Sequence, residues 1–160
     1  MSCWVRCTWF AASGPLNLRP SQPKRNTADE DGNVTMESDE RISHDAENNV
    51  VYANFEGMNI GSEEEADKLA DFLDRYFSRL GRKVHVVVNY DNFDLGPAAR
   101  DTFFAMVKHN EDHYFLSSTR YSTDAFFRHQ LKEDFAEADL EQRIYRNFDE
   151  ARKSLRVRDL

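Results

Sequence analysis

The side chains with which this chain could do chemistry fall in three polar segments, FEGMN at 55–59, NYDNFD at 89–94 and TRYS at 119–122. Arg120 is the cation among them, and with Thr119, Ser122 and the start of a following helix it could grip a phosphate or carboxylate, because a guanidinium fork matches either anion. The competing expectation is an ion pair from Arg120 to Asp91 or Asp94 that ties two loops together, since structural ion pairs outnumber ligand sites on most surfaces. Asn89, Asp91, Asn92 and Tyr121 complete the set of candidate ligand- or partner-binding residues. Asp91 with Asp94, or Glu56 with Asp91, could share acid and base work, but neither pair has a partner that would separate their pKa values. The acids Glu63, Glu64 and Glu65 belong to a helix start, where carboxylates favour the dipole.

No metal or nucleophile pattern completes itself. Of the histidines His44, His85, His109, His113 and His129, only His109 and His113 have the i, i+4 spacing of helical chelation. A turn is expected before Tyr114, and no glutamate follows His109 in the zinc-protease manner. His85 alternates with valines and reads as a strand side chain. There is no G-x-S-x-G, no P-loop and no G-x-G-x-x-G. The residues therefore assign no catalytic group, no metal and no cofactor.

The elements that must hold those segments are legible in the pattern. NVVYANF, 49–55, is β-branched and aromatic and predicts a strand ending at Glu56 and Gly57. Ser62 with Glu65 is a capping box. The helix it opens carries Ala66, Leu69, Leu73, Tyr76, Phe77 and Leu80 on one face and stops at Gly81. The valine run of 83–90 predicts a central parallel strand buried on both faces. Pro97 suits a first helical position, and a second helix should run to His109 and bury Phe103, Met106 and Val107. A short strand is expected at 114–117. A third helix, capped by Ser122 or Thr123, should bury Ala125, Phe126, Leu131 and either His129 or Gln130. Arg143 to Arg146 reads as a fourth strand, and Asn147 with Glu150 opens a last helix through Leu155. Four strand–helix units of this kind predict an α/β fold with a small, mainly parallel sheet, its helices covering one face more fully than the other. Ligands in such sheets bind beyond the carboxyl ends of the strands, where all three polar segments lead. Phe103 with Phe104, and Phe126 with Phe127, are adjacent pairs of which both members cannot point inward in so small a domain, so an exposed aromatic patch and a protein partner are expected.

Composition bounds the partners. The formal net charge is −8 and the isoelectric point about 5.1. Acids spread over the folded part repel phosphate, which excludes nucleic acid and anionic membranes as natural partners. Residues 1–48 are rich in Pro, Asn, Ser, Asp and Glu after a short apolar start, and they read as a disordered tail. Residues 49–160 read as one domain. Arg6, Arg19, Lys24 and Arg25 precede the first acid, but Pro15, Pro20 and Pro23 spoil an amphipathic targeting helix. Translation from Met36 is an equally weighted alternative. Cys3 and Cys7 are incidental thiols on this reading, so the domain holds no disulfide, which fits a reducing, cytoplasmic location. No run approaches the roughly eighteen apolar residues of a membrane span.

Five runs, NFEGM (54–58), VNYDNF (88–93), MVKH (106–109), TRYSTDAFFRHQL (119–131) and IYRNFDEA (144–151), resemble in order and spacing the C-terminal extension of bacterial acyl-CoA:acetate/3-ketoacid CoA-transferases. The similarity covers about residues 49–155. Lys132 and Glu133 depart from the glycine with which that family tends to continue. The resemblance implies an accessory domain: the thioester-forming glutamate of those enzymes sits in two large preceding domains that have no counterpart here. The extension is also similar in element order to the STAS-like fold, a small sheet with helices used for protein contacts. It implies a non-catalytic module whose partners are CoA-transferase catalytic domains or another protein, with acyl-CoA or small-anion binding as the alternative. An independent transferase is a third possibility, for which no turnover is expected.

Overall fold

Alternation decides the architecture. In the computed structural model, which describes residues 39–155 of the chain, odd-numbered positions of strand β2 (Val50–Asn54) and even-numbered positions of strand β4 (Val84–Asn89) turn to one face of a sheet. There Val51, Ala53, Val84, Val86 and Val88 share a core with Leu69 and Leu73 of helix α1 (Glu63–Leu80), Phe103 and Val107 of helix α2 (Arg100–His113), and Leu131 and Phe135 of helix α3 (Ala125–Glu137). On the opposite face, Val50 and Val87 pack with Ala151 and Leu155 at the seven-residue helix α4 (Phe148–Ser154).

The sheet has the order β1-β2-β4-β6-β7, with β1 (Ile42–Asp45) antiparallel to β2 and the other neighbours, including β6 (Phe115–Tyr121) and β7 (Ile144–Tyr145), parallel. Each parallel crossover steps one strand in the same direction. Right-handed crossovers then leave their helices on one side, and α1, α2 and α3 do share one core. The fold is α/β with a mostly parallel sheet of four strand–helix units, as the pattern predicts, plus a leading hairpin strand.

That leading strand lies inside the stretch expected to be disordered. Ile42 is 6% exposed and is the buried residue of ISHD, and the Asp45 carboxylate takes two hydrogen bonds from Asn48 in the turn that returns to β2. One apolar side chain and a turn were enough, and neither raises the local apolar density. The basic run, both cysteines and Met36 lie outside the described residues.

Helix α1 has the expected capping box, with Glu65 N donating to Ser62 Oγ and Ser62 N to Glu65 Oε2, and it ends at Gly81 with φ +64°. Helix α2 follows a 3-10 turn begun by Pro97 and continues four residues past His109, so no turn separates His109 from His113. Strand β6 runs to Tyr121 instead of stopping at Ser117, and Asp124, not Ser122 or Thr123, caps α3 by accepting from Phe127 N at 2.7 Å. Asn147 caps α4 as predicted.

A second, two-stranded sheet pins the loops that follow β2 and β4: β3 (Asn59–Ile60) pairs with β5 (Asp94–Leu95). Asp94 N donates to Met58 O at 2.9 Å and Gly96 N to Ile60 O at 2.8 Å. A methyl group at Gly96 would stand 2.9 Å from Gly61 O, so the two chains approach as closely as only a glycine permits.

Candidate functional site

The carboxyl ends of β2, β4 and β6 bring most of the predicted site residues to one edge, and register then divides them between the two faces. Val88 pairs with Arg120 and Asn89 with Tyr121, so Arg120 points to the α1–α3 core while Tyr121 and Asn89 share the α4 face.

Arg120 is 1% exposed, and its guanidinium is turned to groups of the protein itself. Its guanidinium meets the Glu111 carboxylate on α2, donates to Glu141 O at 3.3 Å, and lies 4.3 Å over the Phe135 ring. Neither Asp91 nor Asp94 is its partner. Ser118, two residues earlier on the same face, donates to the same Glu111 carboxylate at 2.7 Å. The neighbouring Tyr90 phenol is pushed up to about 12, chiefly by its burial and against the pull of Arg120, so it stays protonated. This is a buried ion pair in which both Nη groups are matched and Nε is left without a partner, a structural arrangement.

Asp91 acts as a clasp. One carboxylate oxygen accepts from Ser122 Oγ at 3.1 Å, from Thr123 N at 2.6 Å and from Thr123 Oγ1 at 2.9 Å, tying the loop after β4 to the loop after β6. The loops are tied as foreseen, by a different donor from the one expected. Arg128 adds hydrogen bonds to Ser122 O at 2.7 Å and Thr123 O at 2.9 Å. Asn89 is likewise spent: its Nδ2 donates to Asn54 Oδ1 at 3.0 Å and to Glu56 Oε2 at 3.4 Å, and its Oδ1 accepts from Asp91 N. Thr119 is fully buried and donates to Ala151 O, which fastens α4 to the sheet. Asn92 is exposed at φ +52°, a turn position, and reaches none of the others.

The remaining feature of this edge was not foreseen. Tyr52, Tyr121 and Phe148 line a cleft of about 120 Å³ on the α4 face, together with Arg41, Asn54 and Asn89. The Phe148 ring centroid is 5.5 Å from that of Tyr52 and 6.0 Å from that of Tyr121. Arg41 enters from the 3-10 turn before β1 and donates through Nη1 to Asn54 O at 3.1 Å and Glu56 O at 2.9 Å. The sequence carries only part of the signal for this cleft: alternation along β2 puts Tyr52 and Asn54 on one face, but the pairing of Asn54 with Asn89 is set by the sheet register.

Elsewhere, His109 Nε2 lies 3.2 Å from Asp74 Oδ1, which also accepts from Tyr114 Oη at 2.6 Å, and the His109 and His113 rings stack at 4.2 Å. The Tyr114 and His109 hydrogen bonds hold the Asp74 carboxyl below its usual range. Among the described residues, no cluster of three His, Cys, Asp or Glu side chains is placed to hold a metal ion, and no helix is long and apolar enough to cross a membrane.

Comparison of the chain with protein-family models, with curated proteins and with solved structures returns no match.

Proposed function

We infer that this domain is a non-catalytic accessory module that acts through protein contacts, in the manner implied by its resemblance to the C-terminal extension of acyl-CoA:acetate/3-ketoacid CoA-transferases. The observation that carries this reading is the fate of Asp91. The carboxylate best placed to be a general base at the ligand-binding edge of the sheet receives three hydrogen bonds from Ser122 and Thr123 and serves as a fastener. Serine, threonine and carboxylate meet here, and among the described residues no histidine or lysine hydrogen-bonds to the group. A protein partner is further favoured by Phe126, 80% exposed on the first turn of α3 at the same edge. Four strand–helix units around a small, mostly parallel sheet are compatible with the STAS-like comparison, which supports the same reading by analogy alone. A cytoplasmic setting goes with it.

The test is complex formation between the full chain and CoA-transferase catalytic domains, followed by size-exclusion chromatography and by acyl-CoA/acetate exchange assays of each component alone. Co-elution that is lost in Phe126→Asp, with no exchange by this chain alone, is the expected outcome. Exchange by the chain alone would overturn the reading.

A second reading, a small-ligand domain, is favoured by the α4-face cleft. It no longer rests on Arg120, whose guanidinium is enclosed.

A further inference from the structure

The cleft between Tyr52, Tyr121 and Phe148 gathers, next to aromatic surface, donors that meet no acceptor among the described residues. Asn54 accepts through Oδ1 from Asn89 and from Glu56 N, but its Nδ2 meets no acceptor among the described residues. The hydroxyls of Tyr52 and Tyr121 likewise meet none, and Arg41 commits Nη1 while leaving Nη2 and Nε uncommitted. Four side chains with free donors thus line one cleft, two of them tyrosines whose rings form its aromatic surface with Phe148, at the sheet edge where α/β ligands bind.

Charge narrows the ligand. Glu40 lines the cleft, and Glu56 and Asp91 stand close enough that, added to burial, they raise the Tyr121 phenol above its ordinary value. Arg41, in the same lining, offsets one of these three carboxylates, and the net negative surround that remains disfavours an anion. A neutral flat ring with acceptors along its edge fits both the donors and the aromatic wall, and a purine presents ring nitrogens of that kind together with a π-face for stacking. At about 120 Å³ the cleft is well below the several hundred Å³ of a site that engulfs a drug-sized ligand, so it holds one ring system with the remainder in solvent.

We propose that this cleft is a recognition site for the neutral purine ring of a nucleoside-type ligand, with Tyr52, Tyr121, Asn54 and Arg41 as donors and Phe148 as part of the stacking wall. The proposal stands apart from the accessory-domain reading, since a binding cleft and a partner surface can coexist or fail separately.

The experiment is a titration of the ¹⁵N-labelled full chain with adenosine, with sodium benzoate as a flat anionic control. Adenosine should shift the Asn54 side-chain amide and the backbone signals of Ala53, Tyr121 and Phe148, with a dissociation constant on the order of 1 mM for so small a contact. The double variant Tyr52→Phe/Tyr121→Phe keeps the rings and the fold, as an unchanged Tm would verify, and should bind about tenfold more weakly. The proposal is overturned if adenosine shifts no signal around the cleft, if the double variant binds as tightly as the parent, or if benzoate binds the cleft more tightly than adenosine does.

Discussion

Strand β6 sends Arg120 to one face of the sheet and Tyr121 to the other, and the two meet opposite treatment. Under α1, α2 and α3 the Arg120 charge is enclosed, matched by Glu111 and laid on Phe135. Under the short α4 the cover stops at Phe148, and the Tyr121 hydroxyl is left without a partner. Polar residues adjacent in sequence thus divide into structural and recognition roles by the extent of the layer above them. The fully roofed face satisfies most of its polar groups internally, Arg120 Nε being the exception, whereas the half-roofed one can leave them for a ligand.

The contrast predicts where substitutions hurt most. Glu111→Ala should leave the Arg120 guanidinium buried without its counter-charge and cost about 3–5 kcal/mol in urea unfolding. Arg120→Met should cost much less, because it removes the charge and leaves a carboxylate that can reach water. Comparable losses in the two variants would contradict the enclosed pair.

Next in size is the clasp that joins the two regions. Asp91→Ala should destabilise by about 1–3 kcal/mol by stranding the Ser122 and Thr123 donors, and amide exchange at Thr123 should quicken. On the half-roofed face, Asn147→Ala removes the α4 cap and should cost about 1 kcal/mol, loosening Phe148 over Tyr52 more than it disturbs α1. That difference is measurable as faster hydrogen exchange confined to α4.

A pH effect should also belong to the half-roofed face. His85, alternating with the buried valines of β4 and hydrogen-bonded to Ser117 Oγ at 2.7 Å, has its pKa lowered by desolvation. The unfolded chain therefore binds the proton more readily. The contribution of His85 to stability is fully present above the unfolded value of about 6.5 and is lost as pH falls through the lower folded value. An NMR titration should place its midpoint below 6.5, and His85→Gln should flatten the stability profile in that window. The smallest effect is expected at Phe126, where truncation to alanine should change stability by no more than about 0.5 kcal/mol. A larger loss would mean that the side chain packs against something other than a partner.

The fold was legible wherever local chemistry and burial agree. The capping box and glycine stop of α1, the valine run of β4 and the Asn147 cap all state their structure in a few residues. Legibility failed where polar residues are buried by long-range pairing. Ser118, Thr119 and Arg120 lie in a strand because Glu111 and Ala151 O, distant elements, satisfy them, and a short polar run gives no hint of that. Phe103 and Phe104 are both buried, contrary to expectation, because Phe104 meets Phe135 of α3 while Phe103 faces Tyr90 and Phe93 of the sheet side. Phe126 took the reverse course and faces outward, since α3 turns only Leu131 and Phe135 fully inward. Of the site, Asn89, Asp91, Tyr121 and Ser122 do gather at one edge; Arg41, Tyr52, Asn54 and Phe148 require the register of the sheet to be known.

The near-contact of Gly96 with Gly61 bears on how a visitor would be received. Many α/β proteins admit ligands past loops that swing like doors, but here the two segments following the central strands are riveted to each other by β3 and β5 with no space even for a methyl group between them. The rim is therefore a fixed contour. Whatever lands on it loses little freedom of the receptor in doing so, and must match a shape set before it arrives.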